Sequence, residues 1–492
     1  MKFCLIIGLA LAFCLGTPAR SEIIPGQAVS WTDFSYITCL NVSQEFVYIG
    51  TTEGILRYHR FDLQWYPPLT VSDGLSDGYI NNLAVPFDDS WIIVNTPSGI
   101  YEYDEALEEW TYHNEFPGEY AANFNPPRPL PDVLMPFKYY MAPEGYISDP
   151  YFRDYEVTAW LDDGFNNIYI GTWGWGMFKA DNTILKADFF PYGLIQKSCI
   201  VIYREGDSLW LGGNAGDLEY GVTNNRQGVT LFELEEQNFS YLEPYLIPGF
   251  DSEIIFDIAG DSDNIYFAGY HGFTVRSRER ERWFTLSASQ NLPGTSATAL
   301  AVGPDSVWVG SDRGLALYNP SADMLTEVGQ SQLRDLFVTS LALQDSLLII
   351  GTDQGSFYIN TSTRKLGRLR DPENILNGEV RDIFVYGNEI FIATSWGVTA
   401  FNSQSGKAAD VPWLTETNGA FAVAANDVYV AAAVDNGLML IERDTRRSRV
   451  FDTNDGLLSI EIHDLLPDGD YLWVGSEKGL TRFKWINPDR ID

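Results

Sequence analysis

One twelve-residue phrase constrains this chain more than any other feature. It reads VWVGSDRGLALY from Val307 to Tyr318: three apolar residues run into a small one, a polar turn ends on glycine, and a second apolar run follows. Val307, Trp308 and Val309 suit a short strand buried on both faces, and Gly314 ends a tight turn that tolerates positive φ. The phrase is a β-hairpin, and a lone hairpin cannot bury its own surface. What the chain can become therefore depends on how often the phrase recurs.

It recurs throughout. With Gly310 as the reference residue, the equivalent positions are Gly50, Asn95, Gly171, Gly212, Ala268, Gly351, Ala393, Ala431 and Gly475, ten copies in all, each preceded by three apolar residues. Gly310 and Gly351 are 41 residues apart, and Gly351 and Ala393 are 42 apart. A period in the low forties that carries several short strands is that of a propeller blade. The expected fold is all-β: a β-propeller of about ten four-stranded blades, as one closed ring or two smaller rings. Blade 2 displays the unit, with YINNLAV (79–85) as inner strand, SWIIVNT (90–96) as second, GIYEYDE (99–105) as third and EWTYHN (109–114) as outer strand. Blade 1 is expected at about 28–70 and blade 10 at about 456–488. AVSWTDF (28–34) resembles an outer strand with no blade before it, and blade 10 runs out after GLTRFKW (479–485). The N-terminal segment is thus expected to complete the last blade and remove an open edge.

Two insertions break the period. Asn95 and Gly171 are 76 residues apart, and the surplus, rich in proline and aromatics, lies at 117–156 between blades 2 and 3. A second surplus at 213–227 falls within the hairpin turn of blade 4. In a four-stranded meander the second-to-third-strand turns and the outer-to-inner-strand connections share one face of the ring, so both insertions are expected on that face.

Composition narrows the function classes. The chain is 45% hydrophobic and 14% aromatic, enough for a large core. Its 32 Lys and Arg face 67 Asp and Glu, and a net charge of −35 opposes binding to nucleic acid or an anionic bilayer. The basic runs RSRERERW, TRKLGRLR and RDTRRSRV fall on outer segments, where they protect strand edges. Lys2, the apolar run Phe3 to Leu15 and Thr17-Pro18-Ala19 form a signal peptide over residues 1–19, which implies an exported protein, periplasmic, cell-surface or secreted. No later stretch approaches the ~20 apolar residues of a membrane span. Export leaves Cys39 and Cys199, expected as small buried residues of inner strands and not as a disulfide. With no cysteine cluster, paired-histidine spacing or EF-hand loop, no metal and no cofactor is expected.

The repeat resembles the two-component regulator propeller repeat. That family's blade has a D-G-L connection, an inner strand, a strand like LWIGT and a turn like xxGLxxY. The matches here are TVSDGLSDGYINNLAV leading into WIIVNTPSGIYEY, and DTNDGLLSIEIHDLLPDGDYLWVGSEKGLTRF, while GTWGWGMFKAD at 171–181 resembles the longer GTWGGGL variant. The resemblance spans nearly the whole mature chain and implies the extracellular sensor portion of bacterial hybrid histidine kinases, linked to carbohydrate recognition, or related surface and secretion-associated propellers. No kinase module follows the last blade before Asp492, so the expectation is a binding protein that works through a partner.

Catalytic signatures are missing: there is no GxSxG elbow, no HExxH, no phosphate loop and no acid–base pair at local spacing. No catalytic residue is assigned. The candidate ligand-binding residues are instead side chains of the turn face: Trp173 and Trp175 in blade 3, Tyr270 and His271 in blade 5, Asp312 and Arg313 in blade 6, Asp353 and Gln354 in blade 7, and Trp396 in blade 8. Flat rings beside amide and carboxylate groups suit a glycan, a peptide or a protein partner. Packing between blades is the alternative role of Trp173, Trp175 and Trp396. The alternative function is a polysaccharide hydrolase or lyase on a propeller scaffold, with carboxylates converging near the axis.

Overall fold

A computed structural model describes residues 27–122, 129–214, 226–328, 331–409, 412–415 and 419–486. The proposed signal peptide and most of the 213–227 insertion lie outside the described residues. Ten antiparallel sheets are present, nine of four strands and one of six. The protein is a β-propeller assembly of ten blades, and each reference residue sits in the second strand of its blade.

In most blades the hairpin turn is held by the residue after the reference position. That residue is a serine or threonine in most copies, as in Thr51, Ser311, Thr352, Thr394 and Ser476. In blade 9 the strand register places Ala433, two residues after Ala431, at the reference position. The Ser311 hydroxyl donates to the Gly314 carbonyl at 3.1 Å and accepts the Arg313 N–H at 3.2 Å. Thr352 repeats both bonds with Gly355 and Gln354, at 2.8 and 3.1 Å. A two-residue turn is thereby fixed by one hydroxyl acting as donor and acceptor.

The reference residue itself is small because the next blade presses on it. A Cβ added at Gly310 would lie 2.5 Å from Val338 Cγ1, and one at Gly351 would lie 2.5 Å from Val380 Cγ1. Val338 and Val380 open the inner strands of blades 7 and 8. The same contact closes a ring: a Cβ at Gly475 of blade 10 would lie 2.8 Å from the carbonyl oxygen of Cys199, in the inner strand of blade 4. Inner strands pack in sequence from blade 4 to blade 10, and that of blade 10 packs on that of blade 4. Blades 4–10 therefore form a closed seven-bladed ring. Its last blade is completed by the N-terminal strand Ala28–Trp31, paired antiparallel with Gly479–Lys484.

Blades 1–3 stand outside this ring. Gly171 of blade 3 presses on Ile37 of blade 1, and Gly50 of blade 1 presses on Cys39 and on Ile80, just ahead of the inner strand of blade 2. The order is 3-1-2, an open arc. The division is thus a closed ring of seven and an arc of three, in place of one closed ring or two smaller rings. The physical reason lies at blade 2, whose reference residue is Asn95, partly exposed and too large for the close approach that seats a following blade. At the other end, the inner strand of blade 3, Asp154–Asp162, is extended by the hairpin Tyr140–Ala142 and Tyr146–Ser148. Part of the 117–156 insertion is consequently sheet and core: Val133, Met135 and Ile147 pack on Tyr155, Trp175 and Phe178 of blade 3.

Arc and ring share one aromatic core at the seam between blades 10 and 4. Trp31 packs on Phe232 of blade 4 and Trp473 of blade 10, with centroids 5.2 and 5.8 Å away. Its indole N–H donates to the Tyr192 hydroxyl at 3.3 Å, and Tyr192 lies 4.4 Å from Trp65 of blade 1. The chain leaves the ring after Trp31 and returns beside its own exit, where the Leu194 N–H donates to the Thr32 carbonyl at 2.9 Å. Gly193, at φ +88°, makes this contact feasible, since a Cβ there would meet Thr32 O at 2.5 Å. Cys39 and Cys199 are both buried free thiols.

Half-buried carboxyls stitch ring blades together. Asp257 accepts the Leu300 N–H of blade 6 at 2.7 Å, Asp382 the Val423 N–H of blade 9 at 2.8 Å, and Asp464 the Ile202 N–H of blade 4 at 2.7 Å. Asp382 and Asp464 also accept the N–H of the residue that follows each, at 2.7 and 2.8 Å. Enclosure raises all three from the usual 3.8, Asp257 and Asp464 to about 7 and Asp382 to about 6.

Two outcomes follow from these contacts. Gly310→Ala, which drives a Cβ into Val338, is expected to lower stability by about 1–3 kcal/mol, whereas Asn95→Ala, with no blade to meet, changes it by less than about 0.5 kcal/mol; urea midpoints of the two variants check this contrast. The folded chain holds protons on Asp257 and Asp464 that the unfolded chain releases near pH 4. Their stabilising contribution is complete below that pH and is lost as pH rises through about 7. Asp257→Asn and Asp464→Asn should each narrow the gap in unfolding free energy between pH 5 and pH 8 by about 1–3 kcal/mol. An unchanged gap in urea titrations at the two pH values would contradict this.

Candidate functional site

The inner strands of the ring carry a β-bulge at a repeated place. Pairing with the second strand skips one residue between Cys199 and Val201, Ile255 and Asp257, Ala297 and Ala299, Val338 and Ser340, Val380 and Asp382, and Ile462 and Asp464. A bulge leaves one residue out of the ladder and re-aims its side chain. The skipped residues are Ile200, Phe256, Thr298, Thr339, Arg381 and His463, and all six line a cavity of about 490 Å³ on the ring axis. The three stitching carboxyls, Asp257, Asp382 and Asp464, form part of the same wall.

The cavity opens on the turn face, because its lining comes from the first residues of the inner strands and from those just before them. Phe337, Glu379 and Phe421 stand at this mouth. The Arg381 guanidinium lies 4.4 Å from the Phe421 ring centroid and 3.8 Å from Glu379. His463 Nε2 is 3.1 Å from Glu477 Oε2, and Glu477 Oε2 also accepts the Ser198 hydroxyl at 3.3 Å across the ring seam. A guanidinium stacked on an exposed ring is held in a fixed orientation at the mouth.

The residues singled out in the sequence divide into three groups. Trp175 is 2% exposed and lies under the Arg226 guanidinium at 3.9 Å, with Arg226 paired to Glu243 at 2.5 Å. It joins blade 3 to blade 4 and is packing, not a ligand surface. Trp173 is half-buried in the arc, edge-on to Tyr36 at 5.4 Å. Asp312 and Asp353 hold the start of their own inner strands: Asp312 accepts the Thr295 and Ser296 N–H groups at 2.9 and 3.2 Å, and Asp353 the Phe337 N–H at 3.2 Å.

The others remain on the surface. Arg313 is exposed, and Gln354 is exposed with its carbonyl accepting from Arg368 at 2.6 Å. Tyr270 is 53% exposed and stacks edge-on against His271, whose Nε2 is 3.8 Å from Glu253. Trp396 is 50% exposed and stands against Gly378, next to Glu379 of the mouth. Of the nine, Asp353, bonded to the Phe337 N–H, and Trp396, beside Gly378, adjoin residues of the axial mouth. Sequence reasoning missed Phe337, Arg381, Phe421 and His463 as a group. A countable signal marks two of them: Arg381 and His463 each lie twelve residues before their reference residue, as do Ile200, Phe256, Thr298 and Thr339.

Among the described residues, no group of three or more His, Cys, Asp or Glu side chains could hold a metal ion, and no helix is long and apolar enough to cross a membrane. No protein-family model matches the chain, and no curated protein matches it. Solved structures do. PorZ of Porphyromonas gingivalis, an essential bacterial surface component of the type-IX secretion system, is 12% identical over 91% of this chain and 74% of its own, with a TM-score of 0.51. The extracellular domain of BT3049 from B. thetaiotaomicron, named for a hybrid two component system, is 14% identical over 92% of this chain and 69% of its own, with a TM-score of 0.49. Virginiamycin B lyase from Staphylococcus aureus is 11% identical over 59% of this chain and 96% of its own, with a TM-score of 0.45. At these identities the likeness is one of fold alone.

Proposed function

We propose that this protein is an exported, noncatalytic propeller of the two-component regulator type that binds a glycan, peptide or protein partner through the turn face of its seven-bladed ring, as a sensor or assembly component. The observation that carries this reading is the axial cavity of about 490 Å³ with Phe337, Phe421 and the stacked Arg381 at its mouth. A concave site with aromatic walls and a few oriented polar groups is the usual form of a ligand site. The surface role of PorZ in secretion and the repeat resemblance support an extracellular setting. Binding is favoured over hydrolysis because Asp382 and Asp464 each accept two main-chain N–H groups and so serve the ring itself. The 117–156 insertion acts in this reading as cladding for blade 3, and the recognition surface lies on the ring.

Glycan and peptide arrays probed with the wild type and with Trp396→Ala plus Phe421→Ala test the assignment. Binding is expected to fall by about tenfold or more in the double variant, and little in Trp173→Ala, which lies in the arc. Undiminished binding by the double variant would remove the ring mouth as the site.

A further inference from the structure

The axial well has two zones of different chemistry. Phe337, ahead of the inner strand of blade 7, and Phe421, ahead of that of blade 9, line its mouth and are exposed; Trp396 on blade 8 and Ile460, ahead of the inner strand of blade 10, are exposed on the same turn face. Exposed apolar groups along one side of a cavity exclude water from whatever fills it once a partner covers them.

Inside, the charge is one-sided once Asp257 and Asp464 release their protons near pH 7. Arg381 is matched by Glu379 and His463 by Glu477. Asp257, Asp382 and Asp464 line the well, accept main-chain N–H groups, and have no cationic side-chain partner among the described residues. They also repel one another: Asp464 and Asp382 raise Asp257, and Asp382 raises Asp464. The Thr339 hydroxyl in the same wall has no partner among the described residues. An anionic group entering this well would add to the repulsion, and a neutral one would leave it as it is. A cation would relieve it, and the net charge of −35 would draw a basic partner from a distance.

We propose that the partner of this face is a polypeptide segment that inserts a basic side chain, lysine or arginine, into the axial well, while apolar residues beside it cover the collar of Phe337, Phe421, Trp396 and Ile460. The inference rests on the binding reading above and gives it a partner class. The long stem of lysine or arginine suits the arrangement, since its methylenes pass the aromatic mouth and its charged head reaches the carboxyls.

The test titrates the full chain calorimetrically at pH 8, where Asp257 and Asp464 are ionised, with three capped probes: acetyl-Phe-Lys-Phe-amide, acetyl-Phe-norleucine-Phe-amide and acetyl-Phe-Glu-Phe-amide. The lysine probe is expected to bind about tenfold or more tighter than the norleucine probe, with the glutamate probe weakest and the lysine preference falling as salt is raised. Asp257→Asn plus Asp464→Asn should remove most of the preference, while Trp396→Ala weakens the lysine and norleucine probes alike. The wild-type ratio stands without any variant, so a poorly folded double variant leaves the test intact. A lysine probe no tighter than its norleucine counterpart, or binding by none of the three, overturns the inference. If arrays locate a neutral glycan on the ring mouth while the lysine probe fails, the binding reading survives and this one falls; if nothing binds the ring mouth in either experiment, both fall.

Discussion

The approach of one blade's second strand to the next blade's first strand governs this molecule. Where the reference residue is glycine or alanine, a following inner strand can settle against it, as Val338 does on Gly310 and Cys199 on Gly475. A side chain larger than a methyl group does not fit this approach, so one residue per blade bears on whether another blade can follow. Seven consecutive copies satisfy the condition from Gly212 to Gly475 and return to their start. Three satisfy it only until Asn95, and the arc stops there.

Closure then depends on a strand from the far end of the sequence. Ala28–Trp31 completes blade 10, and its Trp31 side chain anchors an aromatic core that blades 1, 4 and 10 share. Ring and arc are thus joined at the seam where the ring is most exposed to opening. The same closure creates the axial well, because six bulged inner strands aim their skipped residues at one axis. The carboxyls there have two places in the structure: Asp257, Asp382 and Asp464 hold adjacent blades through main-chain N–H groups and also line the well.

Much of this was legible in the sequence. The hairpin phrase and its period gave ten blades, and the outer-strand character of 28–34 pointed to closure of blade 10. Asn95 was visible as the one reference residue that is neither glycine nor alanine, but its meaning depends on which blade would have followed, a long-range contact that local pattern does not carry. The turn tryptophans show the same limit. Trp175 and Trp396 look alike in sequence, yet Trp175 is covered by Arg226 from blade 4, whereas Trp396 stands half-exposed beside Gly378. The mouth residues went unnoticed because Phe337 and Phe421 precede their strands, where apolar residues are ordinarily read as core.

Native-state hydrogen exchange of the amides of Ala28–Trp31 tests the central claim, that the N-terminal strand closes a seven-bladed ring, most directly. The account predicts that these amides are protected about as strongly as those of Tyr471–Ser476 and Ser198–Glu205, the strands on either side of the seam, and open with them as one unit. Exchange of Ala28–Trp31 at the rate of an unstructured terminus, with the two seam strands still protected, would contradict it.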